Sequence, residues 1–218
     1  MSAWACIAAR NEAETIGVLV ERLGRRGLPV VVVDDGSSDG TDLMAAAAGA
    51  SVIRHEYGQG IGPSCMSAWR HALRNGARAI VQLDAGGSHS PDSAEGLLNM
   101  LGNDPRTMVI GSRFLHGSRY TGRPWRRTMS RLASAMCNAR TGLRLSDWTS
   151  GYRAFSAHAA AGLLRPYPAR MHGWQIDVLG QAIKMGYTVL EVPVSYRAGR
   201  SSFRLSTALE AVGAWRRL

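Results

Sequence analysis

The chain has 218 residues, 45% hydrophobic and 19% charged, the balance of a globular fold with a full core rather than of a disordered segment. Its formal net charge is +10 and nearly all of it is arginine, Lys184 being the only lysine; such a surface is either solvated or faces phosphates or anionic lipid. No apolar run reaches the ~18 residues that span a bilayer, and nothing in the chain shows the aromatic interleaving or small modular pattern of a nucleic-acid binder.

Apolar runs alternate with helical patterns, which predicts an α/β domain with a mainly parallel sheet. One domain over residues 1–218 is expected. Residues 3–9 read as the first strand, and Met1 leads almost directly into it, so no signal peptide is expected. Asn11 then stands as the N-cap of a helix, with Glu14 as capping-box partner and Ile16, Leu19, Val20 and Leu23 as its buried stripe. Strand two covers residues 30–34, followed by an alanine-rich helix over 39–49. A short strand at 51–55 leads through Gly58, Gly60 and Gly62 into a helix ending near Gly76.

Strand four covers residues 79–83, and Ser90 with Pro91 opens the next helix. Residues 108–111 form another strand, ending in the polar turn Ser112-Arg113. A helix follows over 124–140, then a loop over 147–153, a helix over 173–185 and a strand over 188–193. Thr207 and Glu210 read as the capping box of a terminal helix with Leu209, Val212 and Trp215 on one side. Cys6, Cys65 and Cys137 form an odd set without CxxC spacing. They are expected to be reduced, partly buried thiols of a cytosolic protein.

In open α/β sheets, ligands sit beyond the carboxyl ends of the strands, near the switch in strand order. Four polar clusters fall at such ends: Asn11-Glu12, Asp34-Asp35, Asp84 and Arg113. The turn Asp34-Asp35-Gly36-Ser37-Ser38-Asp39-Gly40-Thr41 and the segment Asp84-Ala85-Gly86-Gly87-Ser88-His89 place carboxylates beside Gly and Ser. That combination suits a nucleotide with a metal-bound diphosphate. Between residues 105 and 146 there are nine arginines and no Asp, Glu or Lys, a stretch fitted to an anion of another kind.

Asn11-Glu12-Ala13-Glu14 and the 34–41 turn resemble the nucleotide-sugar half of family 2 glycosyltransferases, with Arg10 where an aromatic is common. Within that family the likeness is to dolichol-phosphate mannosyltransferase and related polyprenyl-phosphate glycosyltransferases. It rests on Gly111-Ser112-Arg113-Phe114, Arg126-Arg127-Thr128-Met129-Ser130, residues 147–153, Gly173-Trp174-Gln175-Ile176-Asp177, Glu191-Val192-Pro193 and Arg197-Ala198-Gly199-Arg200-Ser201. The resemblance covers almost the whole chain.

It implies a GT-A fold, a Rossmann-like sheet flanked by helices, and transfer of one sugar from a nucleotide diphosphate to a polyprenyl phosphate with inversion. It implies donor contacts at Asn11, Glu12, Asp34, Asp35 and Ser37, one of the aspartates holding the base and the other lying near the ribose. It also implies Mg²⁺ or Mn²⁺ at Asp84, and acceptor-phosphate contacts at Arg113 and at Arg126 or Arg127, with Ser130 nearby. Mannose from GDP-mannose comes first, a UDP-sugar second. The enzyme would act at the cytoplasmic face of the membrane through peripheral contact, its own or that of a separate membrane anchor.

One departure stands out. The family carries Asp-x-Asp where this chain has Asp84-Ala85-Gly86, so one carboxylate of the metal pair is missing. Magnesium accepts one or two protein carboxylates, substrate oxygens and waters completing its octahedron. Asp84 alone therefore suffices with weaker metal affinity, unless Gly86-Gly87 instead brings backbone close to the diphosphate. Two other readings stay open: a soluble family 2 transferase acting on a sugar hydroxyl, with Asp147 as base, and a catalytically degenerate nucleotide-binding subunit.

Overall fold

The computed structural model is described over residues 2–198 and 205–218, with side chains from 209 onward in the second stretch. Gly199, Arg200 and Ser201 of the sequence motif, and the side chain of Thr207, lie outside the described residues. In chain order the elements are β1 (Ala3–Ala9), α1 (Ala13–Gly24), β2 (Val30–Asp34), α2 (Thr41–Ala47), β3 (Ser51–Arg54), α3 (Ile61–Arg74) and β4 (Ala79–Asp84). A single 3₁₀ turn, Pro91–Ser93, leads into α4 (Ala94–Leu101). Then come β5 (Thr107–Ser112), β6 (Arg119–Thr121), α5 (Pro124–Thr141), β7 (Arg153–Ser156), α6 (Ala157–Gly162), α7 (Gly173–Lys184), β8 (Thr188–Pro193), β9 (Ser195–Arg197) and α8 (Leu205–Arg217).

Seven strands form one sheet in the order β3-β2-β1-β4-β7-β5-β8, and β6 with β9 forms a separate parallel pair. Side chains alternate across the strands and so build two cores. On one face Cys6, Val31, Val33, Ile80, Met108 and Phe155 pack against Trp69 of α3 and Trp174 of α7. On the other, Ile7, Val30, Val32, Val81, Leu83 and Val109 pack against Ile16, Leu19, Val20 and Leu23 of α1 and Leu97 of α4. The amphipathic stripe read in α1 is thus the buried face. The three cysteines are reduced and fully buried in these cores, and burial raises all three thiols.

The sheet departs from the expected pattern at β7. This strand, not anticipated from the sequence, runs antiparallel between β4 and β5. Inserting one reversed strand among parallel neighbours brings its entry to the edge where β4 and β5 exit. Arg153, its first residue, pairs with Gln82 and Ile110 near those exits. The loop before it, residues 147–152, is therefore delivered to the carboxyl edge of the sheet.

Two helix ends also differ from expectation. Asn11 is not a cap: its φ of 54° is left-handed, and Glu12 precedes α1 without a side-chain cap bond. The helix is capped from elsewhere, Ala13 N donating to Asp39 Oδ2 at 3.0 Å. In α8 the helix already begins at Leu205, so Thr207 lies inside it. The Glu210 carboxylate instead accepts from Arg170 N and Met171 N. Leu209 and Val212 are exposed, and Ala214 is buried.

Candidate active site

The carboxyl ends of β1, β2 and β4 meet where strand order reverses around β1, the position at which open α/β sheets bind ligands. The first two ends are laced together. Asn11 N donates to Ser37 Oγ at 2.9 Å, Ser38 N to Asn11 Oδ1 at 3.0 Å and Glu12 N to Thr41 Oγ1 at 2.9 Å. The left-handed backbone at Asn11, tolerated by Asn better than by most residues, turns the chain so that these bonds can form. Sequence reading marked Asn11, Glu12 and Ser37 but missed Asp39 and Thr41, whose role here is structural.

Asp34 and Asp35 part company. Asp35 accepts from His55 Nδ1 and Gln59 N, both at 2.9 Å, and from Gly60 N at 2.8 Å. Its burial pushes the carboxyl pKa up, but these donors outweigh that and the net shift is downward. Asp35 thus ties down residues 55–60. Gly36 sits under the same loop with φ +71°, where a Cβ would come within 2.8 Å of Gly58 N. Asp34 is fully buried; its Oδ1 takes the Ser37 amide at 3.0 Å, while Oδ2 has no hydrogen bond. Arg54 Nε at 3.9 Å is its nearest cation. Of the pair, only Asp34 keeps a carboxylate oxygen without a hydrogen bond among the described residues.

Asp84 ends β4 with an exposed carboxylate that makes no hydrogen bond among the described residues. Two glycines make room around this strand end. A Cβ on Gly151 would meet Asp84 Oδ1 at 2.8 Å, so the loop entering β7 passes against the carboxylate. A Cβ on Gly86 would lie 3.1 Å from Glu12 Oε1. Thr15 Oγ1 donates to Glu12 Oε2 at 3.2 Å and lies 3.1 Å from the Ala85 carbonyl, which fixes Glu12 beside the 84–86 turn.

No group of three or more His, Cys, Asp or Glu side chains among the described residues forms a metal cage. A cation that shares its shell with substrate diphosphate, as Mg²⁺ or Mn²⁺ does, takes one or two protein carboxylates, and the exposed Asp84 carboxylate can supply one. Gly86→Asp adds a carboxylate against Glu12 and near Asp84. It is expected to lower the melting temperature in EDTA and to enlarge the rise on adding Mn²⁺ with nucleoside diphosphate. Thermal melts of both proteins with and without EDTA check this; an unchanged metal response would assign the glycine to backbone approach.

The second half of the site forms around the 147–152 loop. Asp147 is fully buried and binds Arg113 through both oxygens, Nε–Oδ2 at 2.7 Å and Nη2–Oδ1 at 2.8 Å, with Arg113 N a third donor at 3.1 Å. Arg113 Nη2 also reaches Thr149 Oγ1 at 2.6 Å, and the guanidinium lies over Phe114 and Tyr196. Burial would raise the Asp147 carboxyl, yet the Arg113 charge and hydrogen bonds hold it below the ordinary range. A general base is most effective near neutrality; Asp147 is instead an anchor for Arg113. Only Arg113 Nη1 is left without an internal hydrogen bond among the described residues.

Glu191 of β8 fixes the loop from behind, accepting from Ser146 N, Ser146 Oγ and Asp147 N at 2.8, 2.8 and 3.0 Å. Arg153 does so from below: wholly buried, it donates to the carbonyls of Ser150, Gln175 and Trp148, and burial pushes its pKa down to about 10.

Arg126, on the first turn of α5, is half-buried with its Nε buried and unmatched; neighbouring Arg127 is exposed. His172, just before α7, was not singled out in the sequence. Burial lowers its pKa, while Asp84, Glu210, Arg113 and Arg126 all act on it through their charges.

The model of Glycosyl transferase family 2 matches residues 4–163. The chain belongs to that family. This glycosyltransferase is 31% identical over 200 residues to polyprenol monophosphomannose synthase of Mycolicibacterium smegmatis, covering 87% of this chain and 75% of that one. It is 32% identical over 202 residues to undecaprenyl-phosphate mannosyltransferase of Micrococcus luteus, covering 87% and 81%. Glucosyl-3-phosphoglycerate synthase of Mycobacterium tuberculosis, solved with Mn²⁺, UDP-glucose and phosphoglyceric acid, superposes with a TM-score of 0.73 at 20% identity over 99% of this chain and 80% of that one. That likeness fixes the GT-A fold of the transferase. No helix among its described residues is long and apolar enough to cross a membrane.

Proposed function

We propose that residues 1–218 form one catalytic domain that moves a single sugar from a nucleoside diphosphate to a polyprenyl or dolichyl phosphate, inverting the anomeric carbon. The relatives' names support the lipid-phosphate class of acceptor. GDP-mannose is the first donor by that likeness and a UDP-glucose or UDP-N-acetylhexosamine the second, since no side chain in the site fixes base or sugar. The observation that carries the acceptor assignment is Arg126, whose buried Nε has no hydrogen-bond partner, which suits it to an anion, and which lies in the acid-free stretch of nine arginines. The enzyme would work peripherally at the cytoplasmic membrane face, directly or through a separate anchor protein.

A phosphate monoester has its second pKa near ~6 by analogy with phosphorylated side chains, so at neutral pH it is largely a dianion. One of its oxygens attacks the anomeric carbon as the bond to the diphosphate oxygen breaks, and the electron pair leaves with the nucleotide. No protein base is needed, in keeping with Asp147 being committed to Arg113. Asn11, Glu12, Asp34 and Ser37 would position the donor, with Asp35 holding the loop behind it. A divalent cation held by Asp84 would neutralise charge on the leaving diphosphate. Arg126, with Nη1 of Arg113, would offset repulsion between acceptor and donor phosphates.

The test incubates the protein with Mg²⁺ or Mn²⁺, labelled GDP- and UDP-sugars, and polyprenyl phosphate, polyprenol or oligosaccharide. Label is expected only in polyprenyl phosphate and from one donor class. Transfer to oligosaccharide alone would establish the soluble transferase, and donor binding without transfer the degenerate subunit. Arg126→Ala is expected to raise the acceptor KM on the order of tenfold or more, the worth of a charged hydrogen bond, with donor affinity little changed. Arg126→Lys should restore part of it, because a point charge lacks the planar fork. An equal loss of donor affinity in a nucleotide titration would move Arg126 to the donor diphosphate.

A further inference from the structure

Strand β4 reads Ala79-Ile80-Val81-Gln82-Leu83-Asp84, and Gln82 is the one polar side chain in its buried stretch. Only 2% of it is exposed. A buried amide is costly unless both of its ends are matched, and here both are. Trp69 Nε1 of α3 donates to Gln82 Oε1 at 3.1 Å, and Gln82 Nε2 donates to the Gly151 carbonyl at 3.2 Å. The two partners fix which way the amide faces, since an indole N–H only donates and a carbonyl only accepts. Trp69 is itself held, packing on Phe155 and Trp174 with ring centroids 4.5 and 5.6 Å away.

The Gly151 end of this bridge reaches the site. Alternate residues of a strand share a face, so Ile80, Gln82 and Asp84 form one row, with Gln82 directly behind the carboxylate. Gly151, 69 positions further along the chain, is the backbone that presses on that carboxylate. A Cβ there would come within 2.8 Å of Asp84 Oδ1 and 3.3 Å of Oδ2. Asp84 makes no hydrogen bond among the described residues, so packing sets its direction. The loop has other ties: Arg153 takes the Trp148 and Ser150 carbonyls, and Ser150 Oγ donates to the Gly111 carbonyl at 2.7 Å. Those bonds run to β7 and β5. The Gln82 side chain ties the loop to the strand that carries Asp84.

We infer that Gln82 is a positioning residue for the cation site. Its amide N–H sets how Gly151 lies over the end of β4, and thereby the direction of the Asp84 carboxylate. The inference rests on the reading of Asp84 as the cation ligand. With glycine at position 86, the direction of this one carboxylate bears more of the metal affinity than it would in a site with two. Partners behind a metal ligand commonly matter in this way, by orienting the ligand rather than touching the metal.

The experiment titrates Mn²⁺ with GDP or UDP into the full chain by calorimetry, for the parent, Gln82→Met, Trp69→Phe and Gly151→Ala. Gln82→Met fills the same space but cannot donate. Its Mn²⁺ affinity should fall on the order of tenfold, the scale of a lost partner behind a metal ligand. In metal-free protein its residues 147–153 should exchange amide hydrogens faster than the parent's. Trp69→Phe breaks the other bond of the same amide and leaves the Gly151 bond available. It should lower the melting temperature and keep the parent's Mn²⁺ affinity. Gly151→Ala displaces the carboxylate without touching Gln82, and should weaken Mn²⁺ binding as Gln82→Met does. Gln82→Met binding Mn²⁺ as tightly as the parent would overturn the inference. So would Mn²⁺ losses in Gln82→Met and Trp69→Phe that both follow their falls in melting temperature. If Gln82→Met does not fold, Gly151→Ala decides: unchanged Mn²⁺ affinity there means that the loop does not steer Asp84. A parent that binds nucleotide alike with and without Mn²⁺ would remove the cation reading itself, and this inference with it. The lipid acceptor takes no part in the measurement, so a wrong acceptor class would leave its outcome untouched.

Discussion

Asp84→Ala is expected to cut turnover about a thousandfold, the scale on which removal of a group stabilising developing charge acts, with the fold left intact. The carboxylate is exposed and makes no hydrogen bond among the described residues, so its removal orphans no buried partner. The melting temperature should therefore match that of the parent. Binding of nucleoside diphosphate should lose its dependence on Mn²⁺, because no cage of three titratable ligands replaces Asp84 among the described residues. Sugar transfer, titration calorimetry with and without Mn²⁺, and thermal melts check the three statements. Turnover near the parent's with metal still required would refute the assignment.

The half of the candidate site at the ends of β1, β2 and β4 was legible because it is local. The clusters at Asn11-Glu12, Asp34-Asp35 and Asp84 follow strands whose apolar runs are continuous, and a parallel sheet puts every strand exit on one edge. The same logic gave the α1 stripe correctly. It gave the α1 cap wrongly, because Asp39, 26 residues beyond Ala13, supplies the acceptor that a capping box would take from its own turn. The half around Arg113 and residues 147–152 was less legible. Residues 153–156 are too short to announce a strand, and β7 exists through its pairing with β4 and β5. Without that strand nothing in the sequence brings Asp147 to Arg113, 34 positions away, or Gly151 to Asp84. In α8 the sequence put Leu209 and Val212 on one side without saying whether it is buried, and the structure shows that they are exposed; periodicity alone does not tell a buried face from an exposed one.

The Arg113–Asp147 pair is where structure most changes the expected result. From sequence, Arg113→Ala should weaken the acceptor step far more than donor binding. In the structure it removes the guanidinium from a carboxylate with no solvent exposure, and breaking a buried pair on one side typically costs about 3–5 kcal/mol. The loss should also depend on pH. In the parent, the folded pKa of Asp147 lies below its unfolded value, near about 3.9 for a free aspartate. The pair's contribution is then complete above that unfolded value and is lost as pH falls through the folded one. In Arg113→Ala, burial acts with little opposition and lifts the folded pKa above the unfolded value. Ionised Asp147 then destabilises the variant at pH 7, and acidification toward pH 5 should recover part of the loss. Urea denaturation of both proteins at pH 7 and pH 5 checks this: the stability gap should narrow at pH 5. Arg113→Lys should fall between them, since one ammonium cannot bridge both oxygens. A gap under about 1 kcal/mol that stays constant with pH would mean that Asp147 finds other donors when Arg113 is lost, leaving Arg113 free to be judged by the acceptor KM alone.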